Sequence, residues 1–253
     1  MKRSLALAFL VAGCGGTTGS ALVTFNAAAS GPADANGGPL SFTTGVGAHV
    51  TLTRAVLRFG AVYLNQSVPL SGAASTPCIA PGIYVGEVFG PMALDLLSSQ
   101  PVPFPTQGEG TETAAKTAEV WLTGGDINAD VDSTVILDVA GTAEQGGQTY
   151  PFSGAVTIGT NRKPNVTSPA FPGANPICHQ RIVTPILASL TPTQGGTLTL
   201  RVDPRPMFNA VDFSTLAGPP YQIPDDATGA GGALFRGLLA SSGVYAFSWS
   251  NGP

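Results

Sequence analysis

The chain has 253 residues, 43% of them hydrophobic and only 10% charged, with 33 Gly and 22 Pro. A mean hydropathy of +0.23 excludes a disordered, highly charged chain. The 11 Lys+Arg against 15 Asp+Glu, a net charge of −4 with no basic block, exclude a nucleic-acid binder that works by neutralising phosphates.

Lys2 and Arg3 precede the apolar run from Leu5 to Ala12, which has the length of a signal-peptide core and is too short to span a bilayer. Val11-Ala12-Gly13-Cys14 follows. These residues resemble the lipobox of bacterial lipoproteins, with an aliphatic residue, two small residues and then the cysteine. The resemblance covers residues 1–14 only, and no family is recognised in the rest of the chain. It implies that a lipoprotein signal peptidase removes residues 1–13, that the Cys14 thiol carries a diacylglycerol and that its new amine is acylated, by palmitate or a similar acid. One acyl chain holds a protein only marginally, whereas two or three attach it permanently. Gly15, where an Asp would signal retention in the inner membrane, implies an outer-membrane lipoprotein facing the periplasm or the cell surface. Loss of Lys2 and Arg3 leaves 9 basic against 15 acidic residues, a net −6, so lipid rather than basic side chains must make the membrane contact.

From 14 to 45 the chain is Gly, Ser, Thr, Ala, Asn and Pro with one charge, Asp34. It reads as a flexible tether with a reach of about 30 Å, or as a tether holding a first strand at Leu22-Val23-Thr24-Phe25. The domain is then expected over 46–253. Period-two alternation begins there. His49 to Leu64 is a long strand run whose phase slips near Ala55, which predicts a bulge or a break. Ile83 to Phe89 and Ala93 to Leu97 are two further strands, and Thr117 to Thr123 another. Thr134 to Gly159 is a hairpin turning at Glu144-Gln145-Gly146-Gly147-Gln148. Ile182 to Ala188 and Thr197 to Val202 follow, with Pro185 placing the first at an edge or a bulge. Met207 to Phe213 allows a single turn. Ala233, Leu234, Leu238 and Leu239 have helical spacing within Gly232 to Ser242, closed by Gly243. The chain ends on Val244 to Ser250, where Tyr245, Phe247 and Trp249 share a face that reads as core.

Roughly eight short strands between Pro/Gly turns give an all-β fold, an antiparallel β-sandwich with an irregular β-barrel as the alternative, and one short helix near the C-terminus.

Beyond Cys14 two cysteines remain, Cys78 and Cys178, an even pair in an oxidising compartment and therefore a disulfide candidate. Asp126, Asn128, Asp130 and Asp132 fall on one side of an extended segment and offer hard oxygens to Ca²⁺, although Val131 and Leu137 stand where an EF-hand loop needs Gly and Glu. The only histidines, His49 and His179, are an alternative copper or zinc set, with Cys178 adjacent to the second. Glu109 and Glu112 lie in an expected loop after Pro101 to Pro105 and are the nearest approach to paired carboxylates. No Gly-x-Ser-x-Gly, His-Glu-x-x-His or phosphate-loop pattern is present, and no catalytic set is assigned. The sequence thus points to a non-catalytic binding or adaptor module of the cell envelope, partnering the membrane through its lipid and another outer-membrane protein, or capturing a small ligand. An envelope or extracellular polymer hydrolase and a metal carrier for copper or calcium are the alternatives. Reducing the purified protein should raise its mass by about two hydrogens at Cys78 and Cys178; an unchanged mass on reduction would remove the disulfide.

Overall fold

A computed structural model of the chain describes residues 20–67, 83–123, 134–157 and 182–252. Among these the fold is all-β with one short helix: thirteen strands join one large sheet that does not close into a barrel.

The strand that organises the sheet is β3, His49–Asn65. Its first half is flanked by β2, Leu40–Thr43, and β8, Val135–Gln145. Its second half is flanked by β4, Tyr84–Asp95, and β7, Ala115–Leu122; all four pairings are antiparallel. β3 carries an extra residue at two register slips, between Leu52 and Arg54 and between Phe59 and Ala61. Each slip inserts one residue and moves the following side chains to the other face. Val50 and Leu52, then Ala55, Leu57 and Phe59, then Val62 and Leu64 are therefore all fully buried. The sequence showed the first slip; the second, at Gly60, is masked because Gly60, Ala61 and Val62 are all small or apolar. Opposite it, Gly90 and Pro91 interrupt the alternation of β4, so two expected strands are one. Proline is tolerated there because a bulge leaves a ladder position unused.

β1, Leu22–Ser30, decides between the two readings of 14–45 in favour of a first strand, longer than Leu22-Val23-Thr24-Phe25. The stretch 14–45 is no tether from Leu22 onward. Val23, Phe25, Ala27 and Ala29 alternate into the core, and Ala29 is fully buried. β1 pairs antiparallel with β6, Gly108–Thr111, and with the two-residue β5, Val102–Pro103. It runs parallel to β11, Thr197–Val202. Its small side chains read as linker in composition. They are needed because a strand between two neighbours must let both backbones and a covering layer approach. Arg205 reinforces the same region: its guanidinium reaches Asp203 at 2.7 Å and Asp34 at 2.8 Å.

The β8 hairpin turns at Gly146 (φ 59°) and Gly147 (φ 77°), the two left-handed positions of a type I′ turn, and returns as β9, Gln148–Thr157. β10, Ile182–Leu190, pairs antiparallel with β7 and bulges between Val183 and Ile186, where Pro185 sits. β12, Tyr221–Ile223, runs parallel to β9, and β13, Tyr245–Ser250, runs antiparallel to β11. The sheet is thus mixed rather than antiparallel. β1 and β11 lie far apart in sequence, and a strand added by a long crossover takes the direction that its packing dictates, which local alternation cannot encode. The helix, α1, spans Gly229–Leu238, starting and stopping earlier than the spacing suggested. It packs on the 3-10 turn Arg205–Phe208, and a Cβ on Gly237 would lie 2.1 Å from the Met207 carbonyl oxygen, so close contact there demands glycine. As expected, Tyr245 is buried and Phe247 and Trp249 pack against the same core.

Phe25 carries the test of β1 as a core strand. It is 1% exposed, and its ring meets Trp249 edge-on at 5.3 Å. Phe25→Ala should cost about 3–5 kcal/mol in urea unfolding; a cost near zero would return β1 to the role of a tether.

Candidate functional site

The second half of β3 turns one face away from the main core, and on that face five residues line up across five adjacent strands. Thr24 of β1 pairs with Glu109 of β6, Glu109 with Glu87 of β4, Glu87 with Tyr63 of β3, and Tyr63 with Glu119 of β7. Neighbouring strands lie about 4.8 Å apart. Three carboxylates therefore sit in one row, two of them directly opposite each other and the third one strand beyond a tyrosine.

The three are not equivalent. Glu119 is 3% exposed. It accepts hydrogen bonds from Trp121 Nε1 at 3.2 Å, from the Tyr84 hydroxyl at 3.4 Å and from Thr184 Oγ1 at 3.5 Å. Burial raises its pKa above the ordinary carboxylate value, and these donors oppose the rise without cancelling it. Glu87 is half-buried; burial, and then the Glu109 charge across the ladder, raise its pKa as well. Glu109 is exposed. Among the described residues neither Glu87 nor Glu109 has a cationic partner; the ion pairs there are Arg54 with Asp138 and Arg205 with Asp34 and Asp203.

Aromatic rings surround the row. Tyr63 is the hub, with ring centroids 5.1 Å from Tyr84, 5.4 Å from Trp121 and 5.7 Å from Phe89. The interplanar angles of 57° to 83° are tilted or edge-on, the geometry aromatic rings prefer, so the rings do not form one flat stacking platform. Burial raises the Tyr63 hydroxyl pKa, helped by Glu87 and Glu119, and pushes the Tyr84 hydroxyl up to about 12. Both phenols stay protonated donors at neutral pH.

Beside the row runs a groove of about 490 Å³ lined by Leu22, Thr24, Tyr84, Glu87, Glu109 and Gln194 among others. Its β1 wall is fixed by a two-way bond: Thr24 N–H donates to Gln194 Oε1 at 3.0 Å, and Gln194 Nε2 donates to Thr24 Oγ1 at 2.9 Å. Large apolar side chains stand exposed along it, Leu22 at 86% and Tyr84 at 42%, with Ile83 at 65% next to Tyr84.

Glu109 is thus on a strand, not in a loop, and its carboxylate neighbour is Glu87 rather than Glu112, because the β4–β6 ladder decides the pairing. His49 is exposed at the start of β3, opposite Thr43 and Glu144. No group of three His, Cys, Asp or Glu is placed to hold a metal among the described residues. Cys14, Cys78, Cys178, Asp126, Asn128, Asp130, Asp132 and His179 lie outside the described residues. Sequence reading missed Glu87, Glu119 and Tyr63. The available signal was Glu119 itself, a charge inside the otherwise apolar Ala118–Leu122 segment, where an unpaired carboxylate needs donors. Compared with known proteins, the chain matches no family model, no curated protein and no solved structure.

The raised pKa of Glu119 sets a sign. The folded state holds this proton more tightly than the unfolded chain, so the stabilisation is complete below the unfolded carboxylate pKa, 4.5, and is lost as pH rises through the higher folded value. Urea midpoints measured upward from pH 4 should therefore fall more steeply in the wild type than in Glu119→Gln; parallel profiles would show that Glu119 titrates normally.

Proposed function

We propose that the protein is a lipid-anchored, non-catalytic binding module of the bacterial cell envelope, held at the outer membrane by Cys14, with the Glu87–Glu109 groove as its capture site. The observation that carries this reading is the groove itself: open, walled by exposed apolar side chains, and holding two facing carboxylates that no cation among the described residues neutralises. Exposed apolar surface gathered beside unneutralised charge marks a recognition surface more often than a resting one. Support also comes from position. The groove wall begins at Leu22, eight residues after Cys14, and a chain that long reaches at most about 29 Å even when fully extended. A lipid on Cys14 would hold the groove close to the headgroups, not at the end of a long leash.

A hydrolase acting on an envelope polymer would draw on the same two carboxylates, since paired acids a few ångströms apart are the equipment of glycoside cleavage. The binding reading is preferred because Glu87 and Glu109 are both reachable from solvent in an open groove, whereas Glu119, the carboxyl whose pKa burial raises, is engaged by side-chain donors from Trp121, Tyr84 and Thr184.

Cys14→Ser should abolish incorporation of labelled fatty acid and move the protein out of the membrane fraction; retained label would refute the anchor. In cells, a photo-crosslinking residue at Leu22 should give a discrete adduct, and one at the exposed Ser214 none. Release of reducing sugar from envelope polysaccharide, lost in Glu87→Gln, would replace the binding module by a hydrolase.

A further inference from the structure

We infer that the groove receives a Lys- or Arg-bearing extended segment of a partner protein, with the cationic head between Glu87 and Glu109 and apolar neighbours of that residue on Leu22 and Tyr84. The inference rests on the binding-module reading and deepens it by naming the occupant.

Charge complementarity comes first. Glu87 and Glu109 are register partners on β4 and β6, and like charges directly opposite each other on a ladder destabilise it. Nothing cationic among the described residues offsets them, although the chain does neutralise acids elsewhere, as at Asp34 and Asp203. An ammonium or guanidinium placed between the two would turn the repulsion into two charge-assisted hydrogen bonds. The rest of the groove fits the stem of such a side chain. Long cationic residues lay their methylenes along apolar surface and keep the head at polar groups, and the half-exposed Tyr84 ring adds a face of the kind that attracts cations.

The apolar surface then distinguishes a protein segment from a free amine. Leu22 and Tyr84 are 86% and 42% exposed, one on the β1 side of the groove and the other on the β4 side. A small amine would satisfy the carboxylates and leave both in water. A segment with apolar residues on each side of its Lys or Arg would cover them, and burial of that apolar area is the favourable term. The volume of about 490 Å³ lies in the range of a ligand-sized cleft, enough for one long side chain and its flanks.

The test uses the purified mature protein in mild detergent and three capped peptides: Leu-Lys-Leu, the same peptide with norleucine for Lys, and the same with Glu for Lys. Leu-Lys-Leu should bind saturably, and the other two at least about tenfold more weakly, the loss expected for one charge-assisted contact. Glu109→Gln should weaken Leu-Lys-Leu by about tenfold as well. It should also leave the urea midpoint unchanged or raised, because it removes the repulsion; a residue that only supported the fold would lower it. Equal binding of the Lys and norleucine peptides would overturn the proposal. So would spermidine binding as tightly as the peptide, which would make the occupant a small amine, and so would the absence of binding by every peptide at millimolar concentration. The two readings separate cleanly. A crosslinked adduct at Leu22 in cells together with failure of all peptides would refute the cationic occupant and leave the binding module standing; loss of both would remove both.

Discussion

The structure depends on a single strand with four neighbours. β3 is long enough to serve two halves of the sheet, with β2 and β8 on its first part and β4 and β7 on its second. A regular strand of that length would keep one face toward the core throughout. Here the sheet around it turns, so the side-chain phase is reset twice by an inserted residue. Each reset costs a ladder hydrogen bond locally and lets Val50, Leu57 and Leu64 reach the same buried cluster from three successive phases. The second reset also turns Tyr63 outward between Glu87 and Glu119. The row of carboxylates is a by-product of the geometry that keeps the core continuous.

The same face shows how one sheet sets three carboxylates to different tasks by environment alone. Glu119 is covered and supplied with donors from three strands, so it acts as a polar fastener joining Tyr84, Trp121 and Thr184. Such a group is costly to leave unpaired and strongly specifies its surroundings once satisfied. Glu109, three strands further along, is open to water and has no ion-pair partner among the described residues. Glu87 stands between them in burial and in position. The gradient runs from structural to available charge over three ladder steps, and the aromatic hub at Tyr63 marks the division.

The first strand alters the view of where the domain begins. Composition made 14–45 look like a spacer because Ala, Ser, Gly and Asn carry no propensity strong enough to announce a strand. In the fold these small residues let β1 lie between β6 and β11 with little side chain in the way, and β1 becomes the wall of the groove. A segment that composition marked as a spacer belongs to the sheet from Leu22 onward.

Sequence alone determined the all-β class and the longer strands, the hairpin and its glycine turn, the first bulge of β3, the late helix and the core side of the closing aromatic alternation. Each of these is written in local periodicity or in a residue that only one backbone conformation suits. The lipobox-like N-terminus and the cysteine pair were likewise readable as residues, without geometry. Only the tertiary structure decided that β1 belongs to the sheet, that β1–β11 and β9–β12 run parallel, and that Glu87 rather than Glu112 faces Glu109. Those outcomes rest on which strands become neighbours across long stretches of chain. Pairing between distant strands is chosen by the burial of the whole sheet, so no window of sequence contains it. The candidate site is built entirely from such pairings: its residues come from five strands, and only the ladder that joins those strands makes them a row.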